Sequence, residues 1–366
     1  MSTLRVTAEP LTIHEHPNAD ALELAQVGLY RAVVAKGAYR SGDFAVYIPE
    51  QAVLPAALVD ELGLTGRLAG KASDRVKAVR LRGELSQGIV CRPEALAGAD
   101  LERAAADGTD FAELLGITKW SPPIPPTMSG DVEPAPDLLP WVDIENLQRH
   151  PDVFAPGEPV VVTEKLHGTA CLVTYVAGDH GAAVPPAGSS GRVMVSSKGF
   201  GAKGLALRED PRNLYWRAVR GHAVPEAAAR LAAELGATRV GIFGEVYGAG
   251  VQDLSYGANA RSAGLGFAVF DVSAEIDGRV HWLDAVRLLD GELPLVPRLY
   301  EGPFDPDTVL ALASGRETVS GEELHLREGV VVRPVTERWS PVVGGRAIAK
   351  CVSPAYLTRK GGTEYE

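Results

Sequence analysis

Six short polar interruptions of apolar runs carry the residues of this chain best suited to chemistry: EKLHG at 164–168, SSKG at 196–199, FGEVYG at 243–248, FAVFD at 267–271, REGVVVR at 327–333 and RAIAKC at 346–351. They supply one candidate nucleophilic amine, Lys165, and an imidazole, His167. Further cations are Lys198, Arg333 and Lys350, the carboxylates are Glu164, Glu245 and Glu328, and Phe270 is an aromatic. An amine attacks only when unprotonated, a state that desolvation and a nearby cation favour. An aromatic can stack on a base, carboxylates can hold a ribose or a hydrated metal, and cations suit phosphates. Each charged residue stands at the edge of a hydrophobic run, so several strands would present them to one cleft. EKLHG alone is also what an ordinary surface lysine in a turn looks like; the ordered set is what singles out Lys165.

The elements that must position these groups are mostly strands. Val160–Thr163 and Cys171–Val176 read as β-branched runs joined by a turn that holds Lys165 and closes at Gly168. Further strands are expected at 192–197, 239–246, 266–272, 280–283, 329–333 and 347–352. EAAARLAAEL at 226–235 is a helix stopped by Gly236, and another helix is expected near 306–314. On this spacing Phe267 faces away from Phe270 and belongs to a core. Strict strand and helix alternation is missing, which argues against a Rossmann fold.

The amino-terminal part is different in texture. Short β-type runs at 4–7, 22–27, 32–35, 44–48, 76–81 and 88–91 alternate with turn signals, the pattern of a small closed or partly closed barrel. His14, His16, Asn18 and Asp20 lack a tight ligand spacing and read as a polar turn. Arg75, Lys77, Arg80 and Arg82 alternate with apolar residues, an arrangement open to both an RNA-contact face and a merely soluble strand. Residues 104–115 are expected as a short closing helix. SPPIPPTMSGDVEPAPDLLP, residues 121–140, has a proline density that suits an extended connector. WVDIENLQRH at 141–150 is then expected to open a second domain with a helix capped by Asp143. The domains so drawn are 1–120, a linker 121–140, and 141–366.

Composition bounds the rest. A chain of 366 residues with 46% hydrophobic content can bury two cores. Its formal net charge of -11 argues against sequence-independent coating of nucleic acid, and the acidic excess is densest at 121–150, which leaves room for a local basic groove. Cys91, Cys171 and Cys351 lie far apart and form no metal or disulfide pattern. Without a signal-like start or a membrane-length apolar run, the expectation is a soluble, cytoplasmic protein, not bound to membranes and monomeric.

The ordered set resembles the nucleotidyltransferase motifs of the covalent lysyl-adenylate superfamily, which comprises ATP-dependent RNA ligases, DNA ligases and mRNA capping enzymes. The resemblance covers roughly 140–357. His167 stands where DNA ligases usually have aspartate, and the sixteen residues after Lys350 are too few for the OB domain that follows this motif in DNA ligases and capping enzymes. IHEHPNADALELAQV at 13–27 in turn resembles the start of OB-fold modules of tRNA-binding proteins. The whole chain therefore looks like the nick-sealing bacterial RNA ligases with an N-terminal OB-fold domain. That implies an α+β architecture: an OB-like β-barrel, then an adenylyltransferase domain of mainly antiparallel sheets with flanking helices.

The resemblance also implies roles. Lys165 would take AMP from ATP as a phosphoramidate, Glu164 would read the adenine edge, Gly168 would let the turn approach the nucleotide, and His167 would lie near the phosphates. Lys198 would approach the ribose or the RNA 3′ end, Glu245 would bind ribose hydroxyls, and Phe270 would stack on adenine. Glu328 would hold waters of Mg²⁺ or Mn²⁺, and Arg333 with Lys350 would face the phosphates. The implied partner is a nicked RNA or RNA/DNA duplex. Ala170, where asparagine is frequent, and Val352, where a second lysine is frequent, depart from the family pattern. A DNA ligase or capping-type enzyme, and a non-catalytic RNA-binding OB protein, are the alternatives.

Overall fold

The computed structural model describes residues 4–121, 124, 126, 128–178, 191–257 and 264–359. Chain contacts divide it into two compact units, one drawn from Met1–Ser121, Asp143–Ala155 and Trp339–Arg359, the other from Pro122–Val142 and Pro156–Arg338.

In the first unit, Thr7–Pro10, Phe44–Ile48 and Ile89–Cys91 form one three-stranded antiparallel sheet, and Thr12–Glu15, Leu22–Val27 and Tyr30–Ala35 form another. The central strand Phe44–Ile48 has apolar side chains on both faces. Ala45 and Tyr47 join a core with Leu11, Val27 and Tyr30, whereas Val46 and Ile48 join a second core with Leu58 and Phe111. Period-two alternation thus buries both faces of one strand. The expected closing helix at 104–115 lies earlier and is shorter: it spans Leu101–Ala106, with Asp100 accepting at its N-cap, and 107–115 is not helical. It stops where Gly108 takes a left-handed φ of 63°.

Residues 141–150 are not helical. Glu145–Asn146 pairs in parallel with Ala349–Val352, and Leu29 N–H donates to the Gln148 carbonyl at 2.8 Å. Gly28 is needed there: at φ 57° a Cβ would lie 2.7 Å from the Gln148 oxygen. The side chains of Arg149, Thr7 and Glu9 also meet, so tertiary contacts outweigh local helix propensity in this segment.

The second unit is built on two antiparallel sheets. The larger has seven strands in the order Val132–Pro134, Leu205–Leu207, Arg192–Ser197, Thr169–Val176, Arg239–Gly248, Leu265–Ile276 and Arg279–Leu283. Helices Leu214–Gly221 and Val224–Leu235 pack on it. The latter buries Val224, Ala227, Ala228, Leu231 and Ala232, the i, i+3, i+4 stripe of an amphipathic helix, and ends at Gly236 with φ 60°. In the smaller sheet Pro159–Lys165 lies between Gly329–Pro334 and the edge strand Arg298–Pro303.

The expected connector is not a plain spacer. Val132–Pro134 is the outermost strand of the large sheet, and Met128 and Leu139 are buried. Apolar residues between the prolines anchor it, and an edge strand tolerates the terminal Pro134. Pro122, Pro123, Pro125 and Thr127 of that stretch lie outside the described residues. Among the described residues, no helix is long and apolar enough to cross a membrane.

Candidate active site

The two sheets of the second unit are joined by Leu166, His167 and Gly168, three residues between the strands Pro159–Lys165 and Thr169–Val176. Lys165 is the last residue of its strand rather than a turn residue. Its cross-strand partner is Gly329, so the antiparallel register sets Glu328 beside it. The Lys165 ammonium donates to Glu328 Oε1 at 2.6 Å, with the two side chains 28% and 12% exposed. The amine is thus held at a strand end, largely shielded, against a carboxylate.

His167 is buried on the other side of that carboxylate. Its Nδ1 is 3.8 Å from Glu328 Oε2, and its Nε2 donates to Asp253 Oδ1 at 2.7 Å. Gly168 permits the crowding. A Cβ there would lie 2.1 Å from the Val246 carbonyl oxygen and 3.0 Å from Glu245 Cγ. Only glycine lets the turn lie this close to the strand Arg239–Gly248.

Glu245 stands opposite Ala170 in the large sheet. Burial pushes its carboxyl up to about 8, and Glu328 adds to this, while Lys165, the Gly168 N–H and Lys198 pull the other way. Lys198 is thereby brought into the same field. It opens the short helix Lys198–Gly201, whose cap Ser197 accepts from Phe200 N–H at 3.2 Å. Phe270 owes its setting to a β-bulge. Phe243 pairs with Asp271 and Gly244 with Val269, so Phe270 has no cross-strand partner and remains half-buried. Phe267 is fully buried, its ring packed so closely over Gly244 that a Cβ would meet it at 2.3 Å.

Three expected roles meet a different geometry. Glu164 is 1% exposed, and both carboxylate oxygens are engaged: Oε1 accepts from the Tyr256 hydroxyl, Oε2 from Thr318 N–H at 2.8 Å and Thr318 Oγ1 at 2.5 Å. Burial and Glu164 itself drive the Tyr256 hydroxyl far above its ordinary pKa, which keeps it the donor. Arg333 donates to the Phe270 carbonyl at 2.8 Å and pairs with Asp271 at 3.5 Å, so it braces the bulge instead of standing open to phosphates. Lys350 belongs to the first unit, on Ala349–Val352, near Asp143, whose carboxyl is raised by burial and lowered by Lys119 and Lys350.

Asp253, Tyr256, Thr318 and Asp271 are site residues that pattern reading did not find. They lie 62 to 154 residues along the chain from the side chains they touch. Asp271 at least adjoins Phe270, but no strand periodicity marks the loops that carry the other three. The sequence signal for two of them is the polar cluster QDLSYG at 252–257, shortly after FGEVYG.

The fold and the site define the class: an enzyme of the lysyl-nucleotidyltransferase kind with an N-terminal OB-fold domain, its site unit α+β and mainly antiparallel. The RNA ligase family profile matches residues 158–352 and an OB-fold domain profile matches residues 6–93. The chain belongs to the RNA ligase family. Among solved structures, the Naegleria gruberi RNA ligase with PPi is similar at 25% identity and a TM-score of 0.74, over 97% of this chain and 98% of that one. A lysine-to-alanine mutant of the same ligase with ATP and Mn is similar at 25% identity and a TM-score of 0.73, over 96% and 98%. An apo mutant of it also reaches 25% and 0.73, over 97% and 98%. Among curated protein sequences none matches this chain.

Proposed function

We propose that this protein is an ATP-dependent RNA ligase that works through a lysyl-AMP on Lys165 and seals nicks in duplexes whose 3′-OH strand end is RNA. The observation that carries the reading is the Lys165 ammonium at 2.6 Å from Glu328, at the end of a strand inside the region matched by the RNA ligase family. The similar Naegleria gruberi structures with ATP and Mn and with PPi support the choice of nucleotide and the leaving group.

In the first step the Lys165 amine, having lost its proton, forms a bond to the α-phosphorus while the bond to the β-phosphate oxygen breaks and pyrophosphate leaves. In the second, a 5′-phosphate oxygen displaces the lysine, which regains a proton. In the third, the RNA 3′-OH displaces AMP and gives up its proton. Storing the activated phosphate on the enzyme divides one difficult condensation into easier ones. Glu245 would hold ribose hydroxyls, Phe270 would stack on adenine, and Lys198 would meet phosphate or the RNA end.

Mg²⁺ or Mn²⁺ fits the donor set only in one form. Among the described residues, no group of three or more His, Cys, Asp or Glu side chains is placed to hold an ion by itself. Glu328 is a hard oxygen donor, so a hydrated ion shared between this carboxylate and substrate phosphates suits the residues present. Bound there, its charge would draw Glu328 away from the ammonium and favour the neutral amine.

Incubation with α-labelled ATP and Mg²⁺ or Mn²⁺ is expected to label the wild-type chain and not Lys165→Ala. Equal labelling of both would remove Lys165 as the nucleophile. Sealing of a nick with an RNA 3′ end but not of its all-DNA counterpart would establish the substrate, and equal rates on both would overturn it.

A further inference from the structure

Three side chains from one five-residue stretch grip the turn on both sides of Lys165. Gln252 Nε2 donates to the Gly168 carbonyl at 2.9 Å, Asp253 accepts from His167 Nε2 at 2.7 Å, and the Tyr256 hydroxyl donates to Glu164. The Tyr256 ring also meets the His167 ring edge to face, 6.1 Å between centroids. Thr318, from a separate segment, closes on the second oxygen of Glu164. The residues held, 164, 167 and 168, enclose the nucleophile, and none of these contacts uses the Lys165 side chain.

We propose that Gln252–Tyr256 is a positioning clamp for the nucleophile turn, with Asp253 its most consequential member. The inference rests on Lys165 being the adenylated residue. His167 lies between two carboxylates, and donation from Nε2 to Asp253 fixes which ring nitrogen is turned to Glu328, at 3.8 Å. Asp253 thus sets the imidazole, the imidazole abuts Glu328, and Glu328 holds the amine. Nucleophilic attack is sensitive to misplacement on this scale; an error of about 1 Å costs on the order of 10²-fold in rate. Tyr256 and Thr318 give Glu164 a matching task on the strand side.

The test uses the full chain and three measurements on wild type, Asp253→Asn and Asp253→Ala. The single-turnover rate of lysyl-AMP formation at saturating ATP is expected to fall about 10- to 100-fold. The half-saturating ATP concentration should change by less than about threefold, and joining of a strand that already carries a 5′-AMP, which needs no attack by Lys165, by less than about twofold. In a His167→Ala background, Asp253→Asn should cost nothing further, because its effect runs through the imidazole. A loss that multiplies with that of His167→Ala, that lies wholly in ATP affinity, or that falls equally on joining would overturn the clamp.

Histidine side-chain ¹⁵N spectra supply a readout independent of activity. The resonance absent from His167→Ala should shift in Asp253→Ala, and an unmoved resonance would also overturn the inference. If the wild type takes no label while that resonance shifts, the fault lies in the ligase reading and not in the Asp253–His167 contact. Should Asp253→Ala fail to fold, the near-isosteric Asp253→Asn carries each measurement.

Discussion

Two polar turns of this chain start from similar residues and end in opposite conditions. In the first unit, His14 meets the Gln26 amide oxygen at 2.7 Å, His16 the Leu81 carbonyl at 3.2 Å, and Asn18 donates to the Arg82 carbonyl at 3.1 Å. Every one of these partners is neutral. In the second unit, Lys165, His167 and Glu245 crowd around Glu328 and Asp253, and Glu245 is pushed up to about 8. The first turn is at rest once its hydrogen bonds are made. In the second, carboxylates are crowded against one another as well as against Lys165 and His167, a concentration of perturbed charge typical of binding sites.

The contrast can be broken at its strongest point by Lys165→Ala, which should lower covalent AMP incorporation by about 10³-fold or more, whereas His14→Ala and His16→Ala should leave it unchanged. Gel autoradiography with labelled ATP reads both arms. The next effect is steric. Gly168→Ala places a methyl 2.1 Å from the Val246 oxygen and should cost about 3 kcal/mol in a urea melt, and a cost below about 0.5 kcal/mol would show that the turn has room to move.

Glu245 gives the contrast a pH dependence. Its carboxyl keeps a proton in the fold up to about 8 but releases it from the ordinary 4.5 once unfolded, so the ligand-free fold binds more protons between these limits. The associated stability is fully present below 4.5 and is lost as pH rises through 8. Glu245→Gln should remove that loss, gaining on wild type by at most about 1.4 kcal/mol per pH unit. Urea melts of both proteins at several pH values measure it, and parallel stability curves would contradict it. The smallest effect belongs to the quiet turn, where His16→Ala should cost about 1 kcal/mol of stability with adenylation intact.

The strands were largely legible because their patterns are local. Leu22–Val27, Phe44–Ile48 and Arg192–Ser197 fall where alternation and turn residues put them. Helix Val224–Leu235 begins two residues before its alanine-rich run, because Pro225 is suited to a first turn. Helix Leu214–Gly221 escaped notice although Asn213 caps it, since LYWRAVRG is too short for its periodicity to stand out. In the candidate site, Lys165 and the carboxylates near it are flagged by charge at the edge of apolar strands. The engagement of Glu164 by Tyr256 and Thr318, and of Arg333 by Phe270 and Asp271, depends on how distant segments meet and leaves no periodic trace. Phe270 shows the same limit on a smaller scale, because one extra residue in a strand resets the alternation beyond it.

The pairing of Lys165 with Glu328 has a consequence for the protein between turnovers. The Glu328 carboxylate and the surrounding fold cover the nitrogen, whose side chain is 28% exposed, whereas Lys36 and Lys71 are open to solvent and to adventitious electrophiles. If Lys165 is the amine that takes AMP, the contact that must open for adenylation also serves as a cover for it until its own substrate arrives.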